Sequence, residues 1–225
     1  VQATSALASG DEIRAYLKGQ VNLALRRPGM YGDEVALRLL VDHLLFAEGR
    51  PDAWTGQQRH WEERGAWTSR GIAGAFGDLL PGNCRSYSVA AIYAEFAHRR
   101  GWLVPDRVLT TDEYDVLRGT VRRWASRDRV WADVVTEFGI PSVLFGGTNP
   151  LYGKALGYVS ADPGEPPVVF HLWNGSAPGA ASSWPPDLTE PLLLAVRCDD
   201  APFRESFTFT PAGRRLRPQS TEPIP

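Results

Sequence analysis

The chain has 225 residues, a formal net charge of -2, 43% hydrophobic and 22% charged residues. That composition supports one sizeable core and excludes wholesale disorder, and the balanced charge leaves no basic excess for nucleic acid. Its two cysteines, Cys84 and Cys198, lie too far apart and are too few for a disulfide framework, and they read as reduced thiols of a cytoplasmic protein. No Cys/His cluster has zinc spacing, so neither a metal nor a cofactor is expected. Residues 1–10 lack the basic flank and apolar run of a signal peptide, and apolar runs such as 191–196 are too short to cross a bilayer, so no membrane association is expected.

The elements follow in chain order. Ser9-Gly10-Asp11-Glu12 forms a capping box, and Ile13, Leu17, Val21 and Leu25 recur at helical spacing over residues 11–26. Pro28-Gly29 stops that helix. A second helix over 33–48, rich in Val and Leu, is expected to be central and buried. Thr55 is a candidate cap for a short helix carrying His60 and Glu63, and residues 69–80 suggest another, weakened by three glycines. A helix from residue 84 to Gly101 follows. Thr110-Thr111-Asp112-Glu113 opens the next, and Val130 to Phe138 continues the helical pattern.

From Pro141 short apolar runs alternate with turn residues. Strands are expected at 142–145, 155–160, 168–173, 192–197 and 206–210. In the third, period two puts Val168, Phe170 and Leu172 on one face and Val169, His171 and Trp173 on the other. The chain therefore predicts an α+β fold. A mostly helical N-terminal part (residues 9–139) packs on a mainly antiparallel sheet of about five strands (141–212), followed by a loose tail (213–225), all in one domain of residues 1–225.

The chemistry centres on Pro81-Gly82-Asn83-Cys84-Arg85. Asn83 suits a helix N-cap, which places Cys84 at the first helical position, where unpaired N–H groups and the helix dipole favour a thiolate. His98 is about 21 Å along the same helix and cannot serve Cys84. His43 reads as a core or boundary residue, and His60 as part of a solvated face. His171 is the remaining candidate base.

Two resemblances attach to these strings. Arg27-Pro28-Gly29-Met30-Tyr31 is similar to a segment near the start of the type II topoisomerase ATPase domain, and also to uncharacterised bacterial immunity-like proteins. Residues 33–48 lack the acidic-Asn pair of the former, and no Asp-x-Gly-x-Gly follows, so the string is expected to be a structural corner with Met30 and Tyr31 plugging the core. Gly82-Asn83-Cys84-Arg85-Ser86-Tyr87-Ser88, His171-Leu172-Trp173 and Trp184-Pro185-Pro186-Asp187-Leu188-Thr189 together resemble the transglutaminase-like, papain-type cysteine superfamily. The resemblance implies Cys84 as nucleophile, His171 as general base and acid, Asp187 as orienting carboxylate and the Cys84 N–H as an oxyanion donor. The implied reaction is acyl transfer from an amide or ester, on a small-molecule or peptide substrate.

A second reading is a non-enzymatic, protein-binding partner of immunity or regulatory type. Eight tryptophans, with Trp54, Trp61 and Trp67 in a Gly-rich region, motivate it, because interfaces favour aromatics. The turn Gly146-Gly147-Thr148-Asn149-Pro150 suits the edge of a small-molecule pocket but lacks the ending of a phosphate loop.

Overall fold

The computed structural model describes residues 9–175, 185–186, 188–199 and 201–218, with the Asn83 side chain also outside the described part. Its helices are α1 Gly10–Arg26, α2 Pro28–Tyr31, α3 Asp33–Ala47, α4 Ala53–Glu63, α5 Gly71–Ala75, α6 Arg85–Arg99, α7 Thr111–Trp124, α8 Trp131–Phe138 and α9 Pro211–Leu216. Five strands, β1 Val143–Phe145, β2 Lys154–Tyr158, β3 Val168–Trp173, β4 Leu192–Arg197 and β5 Phe207–Phe209, form one antiparallel sheet in sequential order. The fold is α+β, and among the described residues no helix is long and apolar enough to cross a membrane.

The local signals that held are those with a complete chemical pattern. Both capping boxes form: Ser9 Oγ accepts from Glu12 N at 3.2 Å while Glu12 reaches back to Ser9 N, and Thr110 and Glu113 do the same for α7. All five strands lie within a residue or two of the expected runs, and β3 and β4 match them end to end.

The sheet is covered on both faces. Leu156, Tyr158, Val168, Phe170 and Leu172 face α7 and α8. Val143, Ala155, Val169, Trp173 and Ala195 face α6 and the helices stacked on it. A β-bulge between β3 and β4 leaves Leu194 without a Cα partner, because Leu172 pairs with Leu193 and His171 with Ala195. The extra residue turns the Leu194 carbonyl toward Thr210, whose N–H donates to it at 3.0 Å. The bulge keeps Ala195 beside His171 on the α6 face, with Ala155 on the other side. Two alanines flanking one imidazole let a helix approach the sheet closely.

The helix that exploits this is α6. Every residue from Ser88 to Ala97 is buried. Its small side chains (Ser88, Ala90, Ala91, Ala94, Ala97) admit neighbours on all sides, so α6, and not α3, is the central helix. On α3 only Leu37, Val41, Leu44 and Leu45 are buried, while Val35, Leu39 and Phe46 are exposed. The run of apolar residues concealed an ordinary amphipathic stripe. Met30 and Tyr31 do not plug the core either: they sit in the single turn of α2 and face outward, Met30 being 78% exposed. Gly32 closes that turn at φ +100°, a left-handed conformation that glycine adopts without a Cβ penalty.

Three smaller expectations also shift. Helix α4 starts at Ala53 after Asp52, so Thr55 lies inside it. Only residues 71–75 of the 69–80 stretch are helical. The start of the expected loose tail is α9, which packs on β4 with Ala212 and Gly213 buried. A Cβ on Gly213 would overlap the Leu194 carbonyl. Glycine there is what allows the helix to lie on the bulge.

Candidate functional site

Cys84 ends a 3-10 turn, Gly82–Cys84, and is the N-cap residue of α6 rather than its first helical residue. The difference matters chemically. Its backbone N–H donates to Pro81 O at 3.2 Å, so the N–H expected to receive an oxyanion is already engaged. Its thiol also donates to Pro81 O, at 3.1 Å. The side chain is 1% exposed. Burial pushes the thiol pKa up to about 12; the nearby Arg85 guanidinium pulls the other way without reversing this. Arg85 itself clamps the preceding loop, donating from Nε to Leu80 O at 3.2 Å and from a terminal nitrogen to Gly77 O at 2.8 Å.

His171 lies on the α6 face of β3, as the strand period predicts, and is 0% exposed. Its Nδ1 is 2.8 Å from Ser88 Oγ, and Ser88 Oγ is 3.1 Å from Cys84 O. The sheet thus brings His171 to the first turn of the Cys84 helix. The connection runs through Ser88: no hydrogen bond joins the Cys84 thiol to the imidazole, and His171 Nε2 is buried without a partner among the described residues. Phe76 and Phe207 pack around the ring at centroid distances of 5.9 and 5.5 Å. Burial, assisted by the Arg197 charge, lowers the His171 pKa to about 3 and keeps the ring neutral. Asp187, the third member of the expected triad, lies outside the described residues, as does Trp184.

The other histidines fall elsewhere. His43 is exposed on α3, His60 Nε2 is 3.5 Å from an Arg99 nitrogen, and His98 Nε2 lies 3.2 Å from Ser160 O. Among the described residues no group of His, Cys, Asp and Glu is arranged to hold a metal.

Three further features shape the molecule, of which the first two escape a reading of motifs. The first is Glu95, 3% exposed in the middle of α6. Its Oε2 accepts from Arg197 at 2.6 Å, and its Oε1 accepts from Arg99 at 2.6 Å and Arg64 at 3.2 Å. Burial works to raise its pKa, but Arg197, Arg99 and Arg64 outweigh it and hold the carboxyl below its ordinary value. The available signal was an acid inside an otherwise apolar helical run.

The second is Lys154, which begins β2 fully buried. Its Nζ donates to Gly147 O at 2.9 Å and Asn149 O at 3.0 Å and sits 3.6 Å from the Trp131 ring centroid. Burial lowers its pKa to about 8.

The third is a cleft of about 500 Å³ above the β1–β2 connection, bounded by Arg27, Met30, Tyr87, Gly146 to Asn149, and Tyr152. A Cβ on Gly146, which has φ +113°, would come within 3.0 Å of the Tyr87 ring. Glycine at this position therefore lets the loop close against the first turn of α6. The turn expected from its Gly-Gly-Thr-Asn wording to edge a pocket does so.

The tryptophan cluster has a structural role. Trp54, Trp61 and Trp67 pack on one another and on Tyr93 and Phe96 at centroid distances of 5.3 to 6.4 Å, with Trp54 and Trp61 buried. Trp54 and Trp61 fill the core between α4 and α6, while Trp67 is half-buried and edges a cleft beside Arg38.

No protein-family model, curated protein or solved structure matches this chain.

Proposed function

We propose that this protein works by binding, without covalent chemistry at Cys84, and that the cleft beside Tyr87 and the β1–β2 connection is its binding site. The observation that carries this reading is the bonding of the two chemically suggestive side chains. The Cys84 thiol donates to Pro81 O, the His171 ring is bonded to Ser88, and both residues are buried. A thiol with a pKa pushed up to about 12 supplies almost no thiolate at neutral pH. An imidazole held neutral down to about pH 3 is a poor proton acceptor. The cleft, by contrast, opens to solvent and has the size and mixed lining of a small-molecule site.

A second reading, cysteine-dependent acyl transfer by Cys84, His171 and Asp187, draws support from one specific feature. The unpartnered His171 Nε2 is buried in the sheet face that packs on the Cys84 helix. That chemistry requires the thiol to be uncovered and to reach this nitrogen. Alkylation separates the two readings. Under the binding reading, iodoacetamide modifies Cys84 and Cys198 slowly at neutral pH and quickly only after denaturation, as followed by mass spectrometry. Rapid native-state labelling of Cys84 that His171→Ala slows would instead establish the catalytic reading.

A further inference from the structure

We infer that the cleft between α2, the first turns of α6 and the β1–β2 connection takes a small ligand in which an anionic group stands beside a flat apolar one. This inference deepens the binding reading above and rests on it.

Two positive charges, Arg27 and Lys154, meet at this cleft, and among the described residues neither is ion-paired to a carboxylate. Arg27 is exposed on its wall and, among the described residues, makes no ion pair or hydrogen bond. Its neighbour Arg26, by contrast, is held bidentately by Asp106 at 2.7 and 3.0 Å. Lys154 lies beneath the loop, and among the described residues its ammonium is bound by the Gly147 and Asn149 carbonyls and the Trp131 face alone. A buried cation without a counter-ion favours an anion on the far side of the loop that covers it.

The loop backbone is oriented to receive one. In a trans peptide the C=O and the following N–H point in opposite directions. Gly147 O points at the buried Lys154 ammonium, so the Thr148 N–H points away from it, outward. The N–H groups of Gly147, Thr148 and Asn149 donate to no described backbone or side-chain acceptor, while that of Gly146 is used by Arg26 O at 2.9 Å. Lys154 also polarises the Gly147 carbonyl, which strengthens the Thr148 N–H as a donor; the Asn149 carbonyl precedes Pro150, which has no N–H.

The remaining lining supplies the flat apolar part. Tyr87 and Tyr152 line the cleft and Met30 stands at its rim, 78% exposed. The Tyr87 hydroxyl has no hydrogen-bond partner among the described residues. Asp33 is not in the lining, but its carboxylate lies close to Gly29 and acts on Tyr87, so an anion would sit on the Arg27 and Thr148 side of the cleft. The basic groove of Arg14, Lys18, Arg50, Arg99 and Arg100 is a weaker candidate for an anion. Glu48 sits within it, 3.3 Å from Arg100 and 4.0 Å from Lys18, and Arg99 is bound to Glu95.

The test is an NMR titration of the full 15N-labelled chain with phenyl phosphate, benzoate and phenol. Phenyl phosphate or benzoate is expected to shift the Gly147, Thr148 and Asn149 amides saturably and to move the Thr148 proton downfield. The tighter of the two identifies the anion as phosphate or carboxylate. Phenol leaves these amides in place. Arg27→Gln weakens binding about tenfold, the loss expected for one charge-assisted hydrogen bond. Arg50→Gln, with the same change in net charge, has no such effect. The inference is overturned by the absence of saturable shifts, by equal shifts with phenol, or by equal effects of the two arginine variants. Alkylation of the same samples keeps the two proposals apart. An inert Cys84 with no shift at Thr148 overturns the cleft alone. A reactive Cys84 with the shift intact overturns the binding-only reading and leaves the cleft.

Discussion

Ser88 Oγ and His171 Nδ1 lie 2.8 Å apart, buried between α6 and the sheet, and Ser88 also bonds the Cys84 carbonyl. The hydroxyl has one hydrogen. If it goes to the carbonyl, Nδ1 carries the ring proton and donates to Ser88, and the orphaned Nε2 is a bare lone pair and not a stranded N–H. Either tautomer leaves one hydrogen bond holding the imidazole. Ser88→Ala is expected to strip the ring of that bond and lower stability by about 1–3 kcal/mol in urea unfolding. A loss below about 0.5 kcal/mol would place this contact among the indifferent ones.

The same histidine sets a pH dependence. Its folded pKa, about 3, lies below the ordinary 6.5. Between those values the unfolded chain binds a proton that the folded chain refuses. Its stabilising effect is therefore complete above pH 6.5 and is lost as pH falls toward 3. Between pH 6.5 and 5 this one group contributes a slope approaching ~1.4 kcal/mol per pH unit. His171→Leu, which leaves Ser88 its carbonyl partner, should flatten the stability–pH curve by that amount. Identical slopes in both proteins would mean that the imidazole is not held neutral.

Glu95 binds Arg64, Arg99 and Arg197 from the middle of the central helix. Glu95→Gln removes the only negative charge among these four side chains and should cost about 3–5 kcal/mol, because the guanidiniums remain buried or half-buried without it. The Glu95 pKa is lowered on folding, so its stabilisation is present above the ordinary value of 4.5 and is lost as pH falls through the folded value. Acid unfolding followed by circular dichroism should lose this component in the glutamine variant.

Two glycines should respond oppositely to alanine. In Gly213→Ala the new methyl group meets the Leu194 carbonyl, so α9 must lift from the bulge. A loss of about 1–3 kcal/mol is expected, together with faster hydrogen exchange at Thr210 N–H. Gly119 lies within α7 with nothing near its absent Cβ, so Gly119→Ala should stabilise the protein by roughly 0.5–1 kcal/mol. A tolerated Gly213→Ala would refute the close packing of α9 on β4.

Lys154 provides a direct titration. Lys18 is the only other lysine, so Lys18→Arg leaves a single lysine signal in a protein labelled at lysine Cε. That signal should titrate with a midpoint of about 8, below the ordinary 10.5 because the ammonium is buried. The unfolded chain keeps this proton to higher pH, so this group's contribution to stability rises with pH between about 8 and 10.5. A midpoint near 10.5 would mean that the ammonium reaches water.

Much of this molecule is legible in its residues because the relevant forces are local. Ser9 with Glu12 and Thr110 with Glu113 specify helix starts by reciprocal hydrogen bonds a few atoms apart. Alternation over residues 168–173 correctly assigns His171 to the face opposite Phe170. Turn residues after position 141 separate all five strands. Apolar content was less informative where it ran continuously. Residues 33–48 look central, yet Val35, Leu39 and Phe46 point outward. The alanine-rich α6 occupies the centre because small side chains let several elements approach at once.

What the sequence by itself determined is the inventory of elements, the α+β order and the side of the sheet that carries His171. What only the tertiary structure decided is the environment of each reactive group. Cys84 has the residues around it that suit a helix-start thiolate, but its pKa follows from how much water the packed helices and strands exclude, and that exclusion involves β3, far along the chain. The same holds for Lys154, whose buried ammonium binds the Gly147 and Asn149 carbonyls, and for Arg27, which makes no ion pair among the described residues. Desolvation and charge pairing depend on three-dimensional neighbours, so local spelling identified the groups while packing set their chemistry.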